Sequence, residues 1–161
     1  FGSGSGGAYQ RVGFGATYDG VYIPGGVIEL TESYGIRGAF KHNWDAYWSS
    51  SLFGSYSAVR YNGNAAASMC ASYIGARGIA NLSADFSCNP NFNVAQVGLV
   101  TRWTPVKNLT FSAEVMYFRL DQNFTGSAVF QPGATSPKPT AVYNFKDQDT
   151  VSLNVRAQRN F

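Results

Sequence analysis

The amino-acid sequence predicts an all-β protein, a transmembrane antiparallel β-barrel, and three observations lead to this fold class. Charged residues make up only 13% of the 161 residues, against about 25% in soluble globular proteins. Apolar and polar residues alternate, which gives each predicted strand one apolar and one polar face. Short and long connections also alternate, as they do in barrels that have tight turns on one side of a membrane and long loops on the other.

The composition argues against several other classes of protein. Aromatic residues reach 16% and the mean hydropathy is -0.14, so apolar residues are interleaved with polar ones rather than collected into a core. No run approaches the roughly 20 apolar residues of a membrane-spanning helix. The net charge of +3 comes without a basic stripe, so a nucleic-acid partner is not expected.

Period-two alternation predicts six strands. The alternation is strictest in the last strand, where Val151, Leu153 and Val155 fall on one face and Ser152 and Asn154 on the other. In the third strand serines occur on both faces, so its apolar face is less distinct. The predicted strands cover residues 9–20, 31–42, 46–61, 92–104, 109–121 and 149–161.

The connections between these strands are of two kinds. Residues 42–45 and 104–108 form tight turns, whereas the segments 62–91 and 122–148 are long and rich in Gly, Ala, Ser, Asn and Pro. Phe161, on an alternating strand, resembles the signal that outer-membrane proteins carry for their assembly machinery. This resemblance predicts that the short turns face the periplasm and that the two long segments are external loops.

Aromatic residues are predicted to form girdles at both ends of the strands, since amphipathic rings concentrate at membrane interfaces. The short-turn ends carry Phe40, Trp44, Trp48, Trp103 and Phe161, and the long-loop ends carry Tyr18, Tyr56, Tyr61 and Tyr117. Arg159 departs from the usual assembly signal because it occupies a position on the apolar face. There its charge can snorkel to lipid headgroups.

The two cysteines, Cys70 and Cys88, lie in the first long loop. Their spacing is not that of a CxxC motif and no histidine cluster accompanies them, so a zinc site is not expected. A disulfide formed in an oxidising compartment fits better, and by the chain-entropy argument it would stabilise the protein by about 3 kcal/mol. Two unrelated free thiols are the alternative.

Several short motifs occur in order along the chain: Tyr18–Tyr22, Glu32–Ile36, Asn43–Asp45, Leu52–Ser57, Tyr61–Asn62 and Arg156–Phe161. Taken together, they resemble the porins of alphaproteobacteria. The resemblance implies a barrel of about sixteen strands that assembles as a homotrimer. It also implies passage of small polar solutes and ions, with no cofactor.

Six strands are too few to close such a barrel, because bacterial barrels have at least about eight. An open sheet in lipid would leave the backbone groups of its two edges unpaired, at several kcal/mol per group. We therefore expect residues 1–161 to be the C-terminal part of one porin domain. We expect it in the bacterial outer membrane, in contact with lipid and lipopolysaccharide.

Alternation places six charged residues on the polar face, where they would line a pore. Charged walls of this kind tune ion preference, and solvated charges without a selective role are the alternative. Arg60 and Arg119 instead share the apolar face near the outer rim, where contact with lipopolysaccharide phosphates or snorkelling is expected. The six are Arg11, Arg37, Lys41, Arg102, Glu114 and Arg156.

No catalytic or metal site is predicted. The single histidine, His42, lies beside a turn without an orienting partner or a carboxylate cluster. Two other classes fit the strand pattern: an outer-membrane structural or adhesin barrel, and a soluble secreted β-sandwich binding protein. In the sandwich Val151, Leu153 and Val155 would pack on a second sheet instead of on lipid.

Overall fold

The computed structural model describes residues 19–76, 79, 81–130 and 140–161. Within these residues the chain forms nine β-strands and one α-helix. In chain order they are β1 (Gly20–Ile23), β2 (Val27–Leu30), β3 (Glu32–Asn43), β4 (Trp48–Arg60), α1 (Gly63–Ala76), β5 (Phe92–Val106), β6 (Leu109–Gln122), β7 (Ser127–Phe130), β8 (Ala141–Asn144) and β9 (Gln148–Arg159). In this part of the chain no helix is long and apolar enough to cross a membrane.

Five long strands form one sheet in the order β3-β4-β5-β6-β9. Each corresponds to a predicted strand, and its ends differ from the predicted ends by at most two residues. The strand predicted over 9–20 lies outside the described residues except for its last two. The prediction of a mainly β protein is therefore confirmed, and the sheet is its main element.

The chain divides into two compact units, which we describe separately. The sheet unit takes the middle parts of the five long strands, and the loop unit holds α1 and the hairpins β1–β2 and β7–β8. The sheet unit consists of Gly35–Ser57, Val94–Arg119 and Asp149–Phe161, and the loop unit of Phe1–Tyr34, Ala58–Asn93 and Leu120–Gln148.

The sheet unit has one apolar face, and that face is exposed. Alternate residues such as Ile36, Leu52 and Leu99 carry large apolar side chains that remain accessible. Leu153 and Val155 are 66% and 77% exposed, so the packing that a soluble β-sandwich requires at these positions is not found. An apolar face that protein does not cover is what a barrel strand presents to lipid.

Both short turns of the sheet unit have identifiable causes. In the β3–β4 turn the Asp45 carboxylate accepts hydrogen bonds from the N–H groups of Tyr47 (2.6 Å) and Trp48 (2.7 Å). In the β5–β6 turn Asn108 has a φ of 69°, a left-handed conformation that Asn tolerates better than most residues. The Asn160 N–H donates to the Asn108 carbonyl (2.9 Å), so β9 ends at the same edge of the sheet as this turn.

The loop unit contains hairpins that the alternation did not reveal. The pairs β1–β2 and β7–β8 are both antiparallel. Gly25 and Gly26 turn the first hairpin with φ values of 105° and 87°, which glycine adopts without steric cost. The second hairpin lies within the loop predicted over 122–148.

Helix α1 lies within the other predicted loop, 62–91, and Asn62 is its N-cap. The Asn62 Oδ1 accepts a hydrogen bond from the Ala65 N–H (2.9 Å), and the Asn62 carbonyl accepts one from the Ala66 N–H (2.9 Å). The residues that follow are rich in alanine, which has the highest helix propensity. A capping asparagine before an alanine-rich run was the signal in the sequence for this helix.

Most of the buried core lies in the loop unit. Among the residues that the structure describes, the sheet unit buries Val100 and Phe118, and the loop unit buries five hydrophobic side chains. The loop unit therefore holds most of the described core, although three of its five buried residues are alanines, whereas the sheet unit is held mainly by its backbone ladder. The five are Ala58, Val59, Ala65, Ile79 and Ala128.

Candidate functional site

The polar face of the sheet unit carries charged residues that the alternation selected. Hydrogen bonds between neighbouring strands identify this face. The Arg102 guanidinium donates to Ser51 Oγ, from β5 to β4 (3.2 Å). The Asn154 amide donates to the Glu114 carboxylate, from β9 to β6 (3.2 Å). Each charged group is thus held by a neutral polar partner on the adjacent strand.

A third contact joins these two pairs across β5 and β6. The hydroxyl oxygens of Thr104 and Thr110 are 3.1 Å apart. Thr104 lies two positions after Arg102 in the sequence, and Thr110 lies four positions before Glu114. Because side chains on a strand alternate between faces, Arg102 and Glu114 lie on the same face of the sheet.

Arg37 and Lys41 reach this face from β3. A Cβ placed on Gly35 would lie 2.8 Å from Ser57 Oγ on β4, so Gly35 and Ser57 share a face. Ser57 in turn shares its face with the other odd-numbered residues of β4, including the partner of Arg102. Arg37 and Lys41 follow Gly35 at two-residue intervals and therefore lie on the polar face.

Arg156 reaches the polar face from β9, two residues after Asn154. The structure therefore brings five of the six predicted residues to one face of the sheet. Arg11 lies outside the described residues.

The charges on this face are unequal. Within the described part of the sheet unit the face carries four basic residues and one acid. The acid, Glu114, is half-buried and accepts the hydrogen bond from Asn154. Arg37 is exposed and makes no hydrogen bond or ion pair with any residue that the structure describes. The free charge on this face is therefore mainly positive.

A groove of about 760 Å³ lies on the same face. Its lining includes Arg37 of β3, Phe53 and Ser55 of β4, and Gln96 of β5. A volume in this range is typical of sites that hold small molecules. The groove brings a cation, an aromatic ring and neutral hydrogen-bonding groups together.

Phe53 is an aromatic residue on the polar face. A Cβ placed on Gly98 would lie 2.8 and 3.0 Å from the two Cε atoms of the Phe53 ring. The ring therefore covers Gly98 on the neighbouring strand and fills the space that a side chain there would need. Neither residue was identified from the sequence, because serines on both faces of the predicted strand 46–61 obscured which side Phe53 takes.

The apolar face carries a stack of aromatic rings at the short-turn edge. Trp48 and Trp103 stack with 5.7 Å between their centroids and 18° between their planes, and Trp103 stacks on Phe111 at 5.6 Å and 29°. The Trp44 Nε1 donates to Ser50 Oγ (3.0 Å) at the same edge. Stacked rings at a strand edge suit the interface of a bilayer, and Phe111 extends the predicted cluster.

The predicted disulfide between Cys70 and Cys88 is confirmed. The two sulfur atoms are 1.91 Å apart and the Cα atoms 5.9 Å apart. The bond joins α1 to the segment that leads into β5, within the loop unit. The alternative of two free thiols is therefore wrong.

Four aromatic rings pack together in the loop unit. The Tyr73 ring lies 5.6 Å from that of Phe124, edge to face, and Phe124 stacks on Phe145 at 5.5 Å. Phe145 lies 5.7 Å from Phe86. These contacts join α1, the segment before β5, and the two ends of the loop that contains β7–β8.

Arg60 makes contacts within the protein. From the sequence we had expected its side chain to contact lipopolysaccharide phosphates or to snorkel. Its guanidinium donates to the carbonyls of Val59 (2.9 Å) and Phe92 (3.0 Å) and to the Asn93 Oδ1 (2.6 Å). It also lies 5.9 Å from the centre of the Tyr34 ring. Because these groups come from β3, β4 and β5, Arg60 holds the ends of three strands together.

Glu29 connects the β1–β2 hairpin to the start of α1. Its carboxylate accepts hydrogen bonds from the side-chain amides of Asn62 (2.5 Å) and Asn64 (3.0 Å). These bonds, the one from Asn64 most and then the one from Asn62, lower the pKa of Glu29 below its ordinary value. The contact therefore depends on an ionised carboxylate.

A family model described as a porin subfamily matches residues 4–154, which is most of the chain. No curated protein and no solved structure matches the chain significantly. In the described residues no group of three or more His, Cys, Asp or Glu side chains is placed to hold a metal ion.

Proposed function

The chain belongs to the porin subfamily, and from this membership we propose that its sheet is part of the wall of a water-filled channel for small hydrophilic solutes and ions. The porin family implies the bacterial outer membrane and a channel rather than an enzyme. The observation that carries the proposal is the two-faced sheet. An exposed apolar face suits contact with lipid, and a polar, charged face suits a water-filled lumen.

The proposed channel is a closed barrel to which this chain contributes the C-terminal part. In the described sheet β3 and β9 each have a single neighbouring strand. Backbone groups left unpaired in lipid would cost several kcal/mol each, so both edges are expected to pair with further strands. The predicted strand over 9–20 is the candidate neighbour of β3. The full barrel would have about sixteen strands, as in the alphaproteobacterial porins, and form a homotrimer.

The proposed orientation places the short turns in the periplasm. The loops over 62–91 and 122–148 would then be external, where an oxidising environment suits the Cys70–Cys88 disulfide. Phe161 would serve as the assembly signal at the periplasmic end of β9. Lipid would contact the apolar face, and lipopolysaccharide would contact its outer rim.

The charges of the polar face give the proposed channel a preference for anions. The positive groups outnumber the acid, and a charged wall changes the concentration of small ions in a narrow pore. Arg37, Arg102 and Arg156 are expected to set this preference together, since they come from three different strands.

The test is a conductance measurement on the intact protein in a planar lipid bilayer. We expect stepwise increases in current in KCl, and a reversal potential under a salt gradient that indicates anion preference. The triple variant R37Q/R102Q/R156Q should shift that potential towards zero, whereas Lys107→Gln, a control in a short turn, should not. An absence of current steps would contradict the channel, and an unchanged potential in the triple variant would contradict the selective role alone.

A further inference from the structure

We propose that the groove on the polar face binds small carboxylates that carry a flat aromatic ring, with Arg37 holding the carboxylate and Phe53 the ring. Benzoate is the simplest member of this class. The inference rests on the proposed channel function and deepens it, because it names a class of solute that binds to the channel wall.

Arg37 provides the anion-binding half of the site. Its guanidinium offers a planar fork of N–H donors that matches the two oxygens of a carboxylate. It makes no hydrogen bond or ion pair within the described residues, so no partner there has to be displaced. No acid occurs among the described residues that line the groove. The acid on this face, Glu114, lies on β6, separated from β3 by two strands.

Phe53 provides the aromatic half. Its ring lies over Gly98, where the absence of a side chain lets it extend across to β5. It also lines the groove that Arg37 lines, so a ligand can reach both residues at once. Aromatic rings attract one another in offset or edge-to-face arrangements beyond the effect of apolar burial alone. A flat ring is therefore preferred there over an aliphatic group of similar size.

The rest of the groove suits a ligand of this size. Ala39 has only a small side chain beside Arg37, and Ser55, Ser57 and Gln96 supply neutral hydrogen-bonding groups. These groups can bind a hydroxyl or a second polar substituent on the ring. A solute with a carboxylate but no ring loses the Phe53 contact, and an uncharged aromatic solute loses the Arg37 contact.

The test measures block of the channel by added carboxylates. The intact protein is placed in a planar bilayer in KCl, and benzoate, cyclohexanecarboxylate or acetate is titrated on one side. Benzoate is expected to reduce the current in a saturable way, at concentrations about tenfold lower than the other two. Arg37→Gln and Phe53→Leu should each raise the half-saturating benzoate concentration about fivefold to tenfold.

Two further variants make the result specific. Lys41→Gln removes one positive charge from the same face but outside the groove, and should change the half-saturating benzoate concentration less than about twofold. Gly98→Ala keeps Phe53 but displaces its ring. It should therefore raise the half-saturating benzoate concentration, as Phe53→Leu does. This variant tests the position of the ring if Phe53→Leu fails to assemble.

The outcomes separate the site from the channel. If current flows but benzoate acts no more strongly than acetate and cyclohexanecarboxylate, the site is overturned and the channel stands. The same holds if Lys41→Gln raises the half-saturating benzoate concentration as much as Arg37→Gln does. An undiminished benzoate effect in Phe53→Leu or Gly98→Ala overturns the role of the ring. If no current steps occur, the proposed function itself fails.

Discussion

In the sheet unit most large apolar side chains lie on one exposed face, whereas the loop unit has a small buried core and also exposes apolar side chains such as Ile28 and Val142. Leu153 and Val155 of the sheet unit are 66% and 77% exposed, while Ala58 and Ala65 of the loop unit are fully buried. The two units therefore differ in how much of their apolar side-chain surface is buried in the described residues. The difference fits the surroundings proposed for the channel, with lipid beside the apolar face of the sheet.

The two units also differ in what holds them. The sheet unit relies on backbone hydrogen bonds between long strands, with turns closed by residues such as Asp45. The loop unit relies on specific side-chain contacts, among them the Cys70–Cys88 disulfide and the bonds of Arg60. We therefore expect the sheet unit to be sensitive to the face on which a change is made, and the loop unit to be sensitive to individual contacts.

The largest effect is expected for a charge placed on the apolar face. Val155→Lys should lower the free energy of unfolding in lipid by about 2–4 kcal/mol, because a lysine there faces hydrocarbon. Asn154→Lys, one residue away on the polar face, should cost less than about 1 kcal/mol, since a lysine there faces Glu114. Denaturant unfolding in vesicles, followed by tryptophan fluorescence, measures both. Equal costs would contradict the two-faced sheet.

The next effect concerns the disulfide of the loop unit. Replacing Cys70 and Cys88 together by alanine should destabilise the loop unit by about 3 kcal/mol, because the unfolded loop gains conformational freedom. Hydrogen exchange of the α1 amides measures this change. Exchange in the middle of β5 and β6 serves as the control and should stay the same. Faster exchange in those strands to the same extent would show that the two units do not unfold separately.

A smaller effect is expected at a close approach within the loop unit. Gly126 has a φ of 79°, and a Cβ there would lie 2.7 Å from the backbone N and Cα of Phe86. Gly126→Ala should therefore cost about 1–3 kcal/mol. Gly75→Ala is the matched control, because Gly75 lies in α1 with nothing within 4 Å of its Cβ position. It should stabilise the helix by about 0.5–1 kcal/mol.

The stability of the two glycine variants is compared by thermal unfolding and by hydrogen exchange of amides in the loop unit. A cost at both positions, or at neither, would mean that the observed approach of Gly126 to Phe86 does not constrain the fold.

The smallest effect is a pH dependence at the hairpin–helix contact. The folded-state pKa of Glu29 is lowered below the ordinary 4.5, so its contribution is fully present above about pH 4.5 and is lost as pH falls through the folded pKa. Exchange of the first α1 amides should therefore become faster in acid. Glu29→Gln should remove the pH dependence of this exchange. If the exchange still becomes faster in acid in that variant, another titrating group causes it.

The five long strands could be predicted because the sheet has one apolar and one polar face, so the side chains of each strand alternate in polarity. Val151, Leu153 and Val155 alternate with polar neighbours for this reason, and no distant contact is needed to see it. The same alternation selected the charged residues of the polar face. It could not identify Phe53, because an aromatic residue among serines fits either face until the neighbouring Gly98 is known.

The loop unit could be predicted only in part, because its structure depends on contacts between residues far apart in the chain. The two cysteines could be paired because the chain contains no others. The contact of Asn62 with Glu29 joins residues 33 positions apart, and that of Tyr73 with Phe124 joins two separate loops. Helix α1 did leave a local signal in Asn62 and the alanines after it, but alternation does not detect it.

The contact between Phe53 and Gly98 has a consequence for how related sequences can vary. The ring on one strand occupies the space beside the other, so the volume that must stay constant belongs to the pair and not to either position. A larger residue at position 98 should therefore occur together with a smaller one at position 53. Such paired substitution would be the mark of this contact in the family's evolutionary record, and homologues that keep a phenylalanine at 53 should keep a glycine at 98.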